Sequence, residues 1–103
     1  MANICENKMY ISTPNSLTFQ EVKTYITNEL NGDIAWEEDS FENEFQLECY
    51  FESRWDFPDK LMQDMTDKHI CNTDNLFIRV LSIEECNYYC AFHVFEDGQW
   101  KAM

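Results

Sequence analysis

From Phe45 to Phe51 the chain alternates without a break, with Phe45, Leu47, Cys49 and Phe51 on one phase and Gln46, Glu48 and Tyr50 on the other. A period of two sends these sets to opposite faces of a strand. Glu42, Glu44 and Glu52 extend the polar phase, so the predicted strand is apolar inside and acidic outside. Its hairpin partner is a short strand over Asp33–Glu38, with Ile34 and Trp36 inward and Asp39-Ser40 in the connecting turn. A first strand is expected over Asn3–Ser12, with Cys5, Met9 and Ile11 facing the core and Glu6, Lys8 and Tyr10 facing away. Leu76–Ile83 and Tyr88–Phe95 are aliphatic and aromatic enough for two more strands, joined by a turn over Glu84–Asn87. The phase of Leu76–Ile83 stays open, because apolar residues occupy both. Asp97-Gly98 is a dipeptide suited to a tight turn with positive φ, leaving Gln99–Met103 as a final half-strand.

Between the strands the period changes. Phe19, Val22, Tyr25, Ile26 and Leu30 follow helical spacing. Thr18-Phe19-Gln20-Glu21 matches a capping box, with Leu17 and Val22 as its hydrophobic staple and Gly32 at the position after the helix. A second helix is expected from Asp56 and Pro58, carrying Leu61, Met62 and Met65. Its last turn holds Lys68 and His69, where positive charge suits the helix dipole.

Each helix has one apolar stripe to bury, so both are expected on one face of the sheet. The order strand, helix, strand, strand, helix, strand, strand predicts an α+β fold: a ferredoxin-like split βαβ sandwich, βαββαβ plus a C-terminal strand, on an antiparallel sheet. The whole chain, residues 1–103, is read as one such domain. The helical crossovers are expected to make the first strand central and parallel to its neighbours.

Charge changes this picture. The chain carries 20 Asp plus Glu against 7 Lys plus Arg, for a net charge of −13. Such a surface repels phosphate backbones and anionic membranes and attracts basic proteins, so direct nucleic-acid binding is not expected. Between Asn31 and Ser53 there is no Lys or Arg, only Asp33, Glu37, Glu38, Asp39, Glu42, Glu44, Glu48 and Glu52. The five cysteines are an odd number without a disulfide-framework spacing, and neither a signal peptide nor an apolar membrane span is evident. A reducing cytoplasm is the expected location.

Phe51-Glu52-Ser53-Arg54-Trp55-Asp56-Phe57-Pro58, a strand running through a Pro turn into a helix, resembles a motif of the YubB-type ferredoxin-like domains of phage and plasmid proteins. Ala35-Trp36 in the preceding strand, Cys5-x-Asn7-x-Met9 at the start and Phe95-Glu96-Asp97-Gly98 near the end are similar to further elements of that family. The resemblance implies a mobile-element origin and the ferredoxin-like fold, and carries no established chemistry. The name refers to the fold alone, since four clustered cysteines for an iron–sulfur site are lacking.

The candidate chemistry is sparse. Cys86-x-x-x-Cys90 with His93 does not give one tetrahedral zinc centre from a strand. Glu37, Glu38, Asp39 and Glu42 lack the frame of a calcium loop. Neither histidine sits with a nucleophile in an arrangement that asks for a base. No metal, cofactor or catalytic residue is expected, and the protein is read as a non-enzyme. What remains is a surface. Tyr10 and Tyr50 are expected on the helix-free face, where RNA-recognition domains of this topology stack bases. Here carboxylates surround them, which suits a basic protein instead. The expected function is inhibition of a host defence protein of the anti-CRISPR or anti-restriction type, by occluding its basic nucleic-acid groove. Glu37, Glu38, Asp39, Glu42, Glu44, Glu48 and Glu52 would stand in for phosphates, with Tyr10, Tyr50 and Trp36 as anchors. The alternative is a self-associating structural or regulatory module of a mobile element, a homodimer through an open sheet face or edge.

Overall fold

The computed structural model describes residues 4–41, 44–86 and 88–103. The chain runs through β1 (Ile4–Thr13), α1 (Ser16–Tyr25, continued by a π-helical turn, Ile26–Leu30), β2 (Asp33–Phe41) and β3 (Glu44–Arg54). It continues through α2 (Asp59–Asp64, with a π-helical turn, Met65–His69), β4 (Phe77–Glu84), β5 (Tyr89–Glu96) and β6 (Gln99–Ala102). The strands form one six-stranded sheet in the order β2-β3-β1-β4-β5-β6. The architecture is α+β and compatible with a split βαβ arrangement. β1 is central as expected, but it is antiparallel to both neighbours rather than parallel. Each helix does join two parallel strands, yet those strands are not adjacent. β3 lies between β1 and β2, and β1 lies between β3 and β4.

Both helices cover the same sheet face. Phe19, Val22, Tyr25, Ile26 and Leu30 from the first and Met62 and Met65 from the second share one core with Met9, Ile11, Leu47, Cys49, Phe51, Ile78 and Val80. The Tyr25 hydroxyl donates to the Leu61 carbonyl at 2.8 Å, tying helix to helix. β4 resolves its phase by burying Ile78, Val80, Ser82 and Glu84. Glu84 is thus a buried strand residue rather than part of the turn, and its carboxylate accepts the Cys86 N–H at 2.9 Å.

Buried among these apolar side chains is a polar knot. Asn7 Nδ2 donates to Ser53 Oγ at 2.9 Å and to the Phe51 carbonyl at 3.3 Å, and Asn7 Oδ1 accepts from Ser82 Oγ at 2.7 Å. Ser53 Oγ in turn donates to the Asp56 carbonyl at 2.7 Å, which holds the corner after β3. Trp55 in that corner has φ 71. The Phe51–Pro58 motif is therefore a folded joint, in which every side-chain polar group of Asn7 finds a partner.

Several local expectations are corrected. The cap of α1 is Asn15, whose side chain accepts the Thr18 N–H at 3.1 Å. Thr18 lies inside the helix. Its hydroxyl donates to the Asn72 carbonyl, and the Glu21 carboxylate accepts the Cys71 N–H, so both residues fasten the loop before β4 instead of forming a capping box. Leu17 is 63% exposed and staples nothing. The left-handed residue after the helix is Asn31 (φ 50), not Gly32. Gly32 is required for closeness instead, because a Cβ there would meet Ile26 Cγ2 at 2.9 Å and the Tyr50 carbonyl at 3.3 Å. α2 begins at Asp59 rather than Asp56. Asp39 and Ser40 belong to β2 rather than to a turn. The tight turn at Asp97-Gly98 is as predicted, with φ 53 and 77.

Candidate binding face

The sheet face away from the helices is set by strand register. Opposite one another across β1, β3 and β4 stand Tyr10, Glu48 and Arg79, and one step along, Lys8, Tyr50 and Leu81, then Glu6, Glu52 and Ile83. β5 continues the last two rows with Phe92 and Cys90. On β2 a bulge between Ile34 and Trp36 shifts the alternation. Ile34 pairs with Cys49 on the covered side, whereas Trp36 pairs with Glu48 on the open side. Trp36 therefore faces outward, contrary to its expected inward position. Its ring lies 6.4 Å from that of Tyr10. Phe77 completes the aromatic row, 6.2 Å from Tyr10 on the other flank.

Two cations stand in the central rows of this face. The Arg79 guanidinium sits 4.4 Å from the centre of the Tyr10 ring. Lys8 Nζ pairs with Glu48 Oε1 at 3.5 Å and lies 6.0 Å from the centre of the Tyr50 ring. Glu48 is thus ion-paired, and its carboxylate also accepts from the Tyr50 hydroxyl at 3.5 Å. Glu44 accepts from Ser12 Oγ at 2.8 Å. Glu38 and Glu52 form no ion pair with any described residue. Glu6, Asp33, Glu52 and Tyr50 line an open groove of about 610 Å³ at one end of the face. Glu6 and Glu52 stand directly opposite in register, a like-charge pair that a sheet tolerates only at some cost.

The predicted site residues accordingly divide. Tyr10, Trp36, Glu38, Glu44, Glu48, Tyr50 and Glu52 share the open face. Glu37 does not: it is opposite Leu47, and its carboxylate pairs at 2.8 Å with Lys23 of α1. The β2 bulge is again the cause. Glu42 lies outside the described residues, as does the side chain of Asp39. Arg79, Lys8 and Phe77 belong to the face without having been counted among the site residues in the sequence. Alternation placed Lys8 beside Tyr10 on the outward phase, as the structure has it, whereas Arg79 required the phase of β4.

Elsewhere the chemistry is that of a packed interior. All five cysteines are free, with Cys5 and Cys49 buried. Burial, reinforced by the Glu48 charge, pushes the Cys49 thiol up to about 12. Cys90 and His93 lie on opposite sheet faces, and among the described residues no cluster of His, Cys, Asp and Glu could hold a metal. His93 stacks on Phe57 at 3.7 Å with its Nδ1 buried. Among the described residues no helix is long and apolar enough to cross a membrane. Comparison with known proteins finds no matching protein-family model, curated protein or solved structure.

Proposed function

We propose that the protein is a small acidic binding protein of a phage or other mobile element, acting in the host cytoplasm without catalysis. It inhibits a nucleic-acid-binding defence protein, of the anti-CRISPR or anti-restriction type, by filling its basic groove. The observation that carries this reading is the open face itself: Glu38, Glu44, Glu48 and Glu52 share one sheet surface with Tyr10, Trp36 and Tyr50. A rigid sheet holds the carboxylates at fixed spacing, so little ordering entropy is lost on binding. The net charge of −13 steers a basic partner toward it. The same reading takes the strand order as the ferredoxin-like topology with an added C-terminal strand, in a YubB-type domain.

Affinity capture from bacterial lysate tests the proposal. At low salt the protein should retain a basic nucleic-acid-binding protein, and about 0.5 M salt should release it, since charges farther apart than a few ångströms are then screened. Retention of no such protein at low salt defeats the proposal.

A second reading is self-association. Ile83 and Phe92 on the β4–β5 half of the open face are 38% and 36% exposed, which gives a copy of the chain something to cover. A homodimer would show twice the chain mass by light scattering and revert to monomer in Phe92→Glu.

A further inference from the structure

The two cations in the central rows of the open face take different partners. Lys8 turns its ammonium toward a carboxylate, Glu48 at 3.5 Å, and stays 6.0 Å from the nearest ring centre. Arg79 sets its guanidinium on the Tyr10 ring at 4.4 Å and makes no ion pair with a described residue. This follows from hydration: an ammonium is a strongly hydrated point charge, whereas a planar guanidinium is weakly hydrated and stacks on aromatic rings. Trp36 is the next ring in the same row. It is 41% exposed, and no cation of the described residues lies over it. Indole is also the strongest aromatic partner for a cation. Glu38 stands two residues along β2 on the same face, about 7 Å away by strand geometry, and forms no ion pair with a described residue. Charge complementarity and the exposed indole thus specify one kind of visitor.

We infer that Trp36 and Glu38 form an arginine-reading subsite, in which a guanidinium from a protein partner stacks on the Trp36 indole and hydrogen-bonds to the Glu38 carboxylate. The inference rests on the proposed binding of a basic partner through this face and narrows that partner's chemistry: it presents arginine, and lysine does not substitute. The β2 bulge is the feature that makes the subsite, because without it Trp36 would turn to the helix side. Glu48 supplies the negative surroundings, but its charge is already shared with Lys8.

The test compares two eight-residue peptides of equal charge, alternating Gly with Arg or Gly with Lys, titrated calorimetrically into the intact protein at low ionic strength. The arginine peptide is expected to bind about tenfold more tightly, a difference worth about 1.4 kcal/mol. In Trp36→Ala that preference should fall to about one, while the lysine peptide keeps its affinity. Glu38→Gln should weaken the arginine peptide more than the lysine peptide, and it guards against a general disturbance from removing the indole. Equal affinities for the two peptides, or a preference that survives Trp36→Ala, overturn the inference and leave the basic-partner reading standing. If neither peptide binds at low salt, both fall.

Discussion

On the covered face of the sheet, Met9, Ile11, Leu47, Cys49, Ile78 and Val80 are wholly buried, and the one amide among them, Asn7, has its hydrogen bonds met. On the open face the same three strands display Lys8, Tyr10, Glu48, Tyr50 and Arg79, joined by one ion pair, loose ring contacts and a long hydrogen bond. One backbone therefore serves two environments with different tolerances. On the covered side a change of one side chain leaves a void or an unmet polar group, since water cannot enter to repair it. On the open side water and neighbouring charges compensate. The first face carries stability and the second is free to carry recognition. Substitutions that separate those two quantities test this division.

The largest effect expected is at the centre of the covered face. Leu47→Ala should destabilise the fold by about 2–5 kcal/mol, whereas Tyr50→Ala on the same strand should cost below about 1 kcal/mol. Urea unfolding midpoints measure both. A similar loss at Tyr50 would mean that the open face is covered in solution, as the self-association reading requires.

Next comes the polar knot. Asn7→Ala should cost about 1–3 kcal/mol, because it strands the buried Ser82 hydroxyl without its acceptor. Removing Ser82 as well should add less than its single effect, since the two share one hydrogen bond. Strict additivity in a double-mutant cycle would contradict the knot.

This division was partly legible in the sequence. Strict alternation located β3 and β1, because a half-buried strand needs nothing beyond period two to declare its faces. Tyr10 and Tyr50 were placed correctly for that reason. Trp36 and Glu37 were not, since one bulge residue inverts every side chain beyond it, and a bulge leaves no mark on the hydrophobic pattern. β4 is apolar on both phases, so Arg79 could be placed only by its pairing with Tyr10. The helix cap went to Asn15 over Thr18 because Thr18 and Glu21 have long-range partners in residues 71–72, which local motif spacing cannot see. The antiparallel setting of β1 has a similar cause: the crossover rule fixes the direction of connected strands but not which strand is inserted between them.

A smaller effect is expected from pH, again on the covered face. Burial holds the His93 pKa below its usual 6.5, with the Asp59 charge a weaker opposing influence. The unfolded chain then binds the proton more readily than the folded one. This contribution to stability is complete above the unfolded pKa and is lost as pH falls toward the lowered folded value. His93→Phe keeps a ring against Phe57 and removes the titration. Between about pH 7.5 and pH 5.5 the native protein should therefore lose more stability than the variant, measured by urea midpoints. Parallel profiles would show that His93 charges as easily inside the fold as outside.

The smallest and most discriminating pair is Glu37 and Glu38, neighbours in sequence on opposite faces. Glu37→Gln removes the ion pair with Lys23, and because both groups are partly exposed it should cost at most about 1 kcal/mol. Glu38→Gln should leave stability unchanged. Binding should rank them in reverse. Glu38→Lys should slow association with the Gly-Arg peptide and flatten its salt dependence, while Glu37→Lys should leave both nearly intact. The two reversals change the chain's charge by the same amount, so overall attraction cannot account for a difference between them. Equal losses would mean that the total charge attracts the partner and that neither face is addressed; unequal losses locate recognition on the side of the sheet to which the bulge turns Trp36.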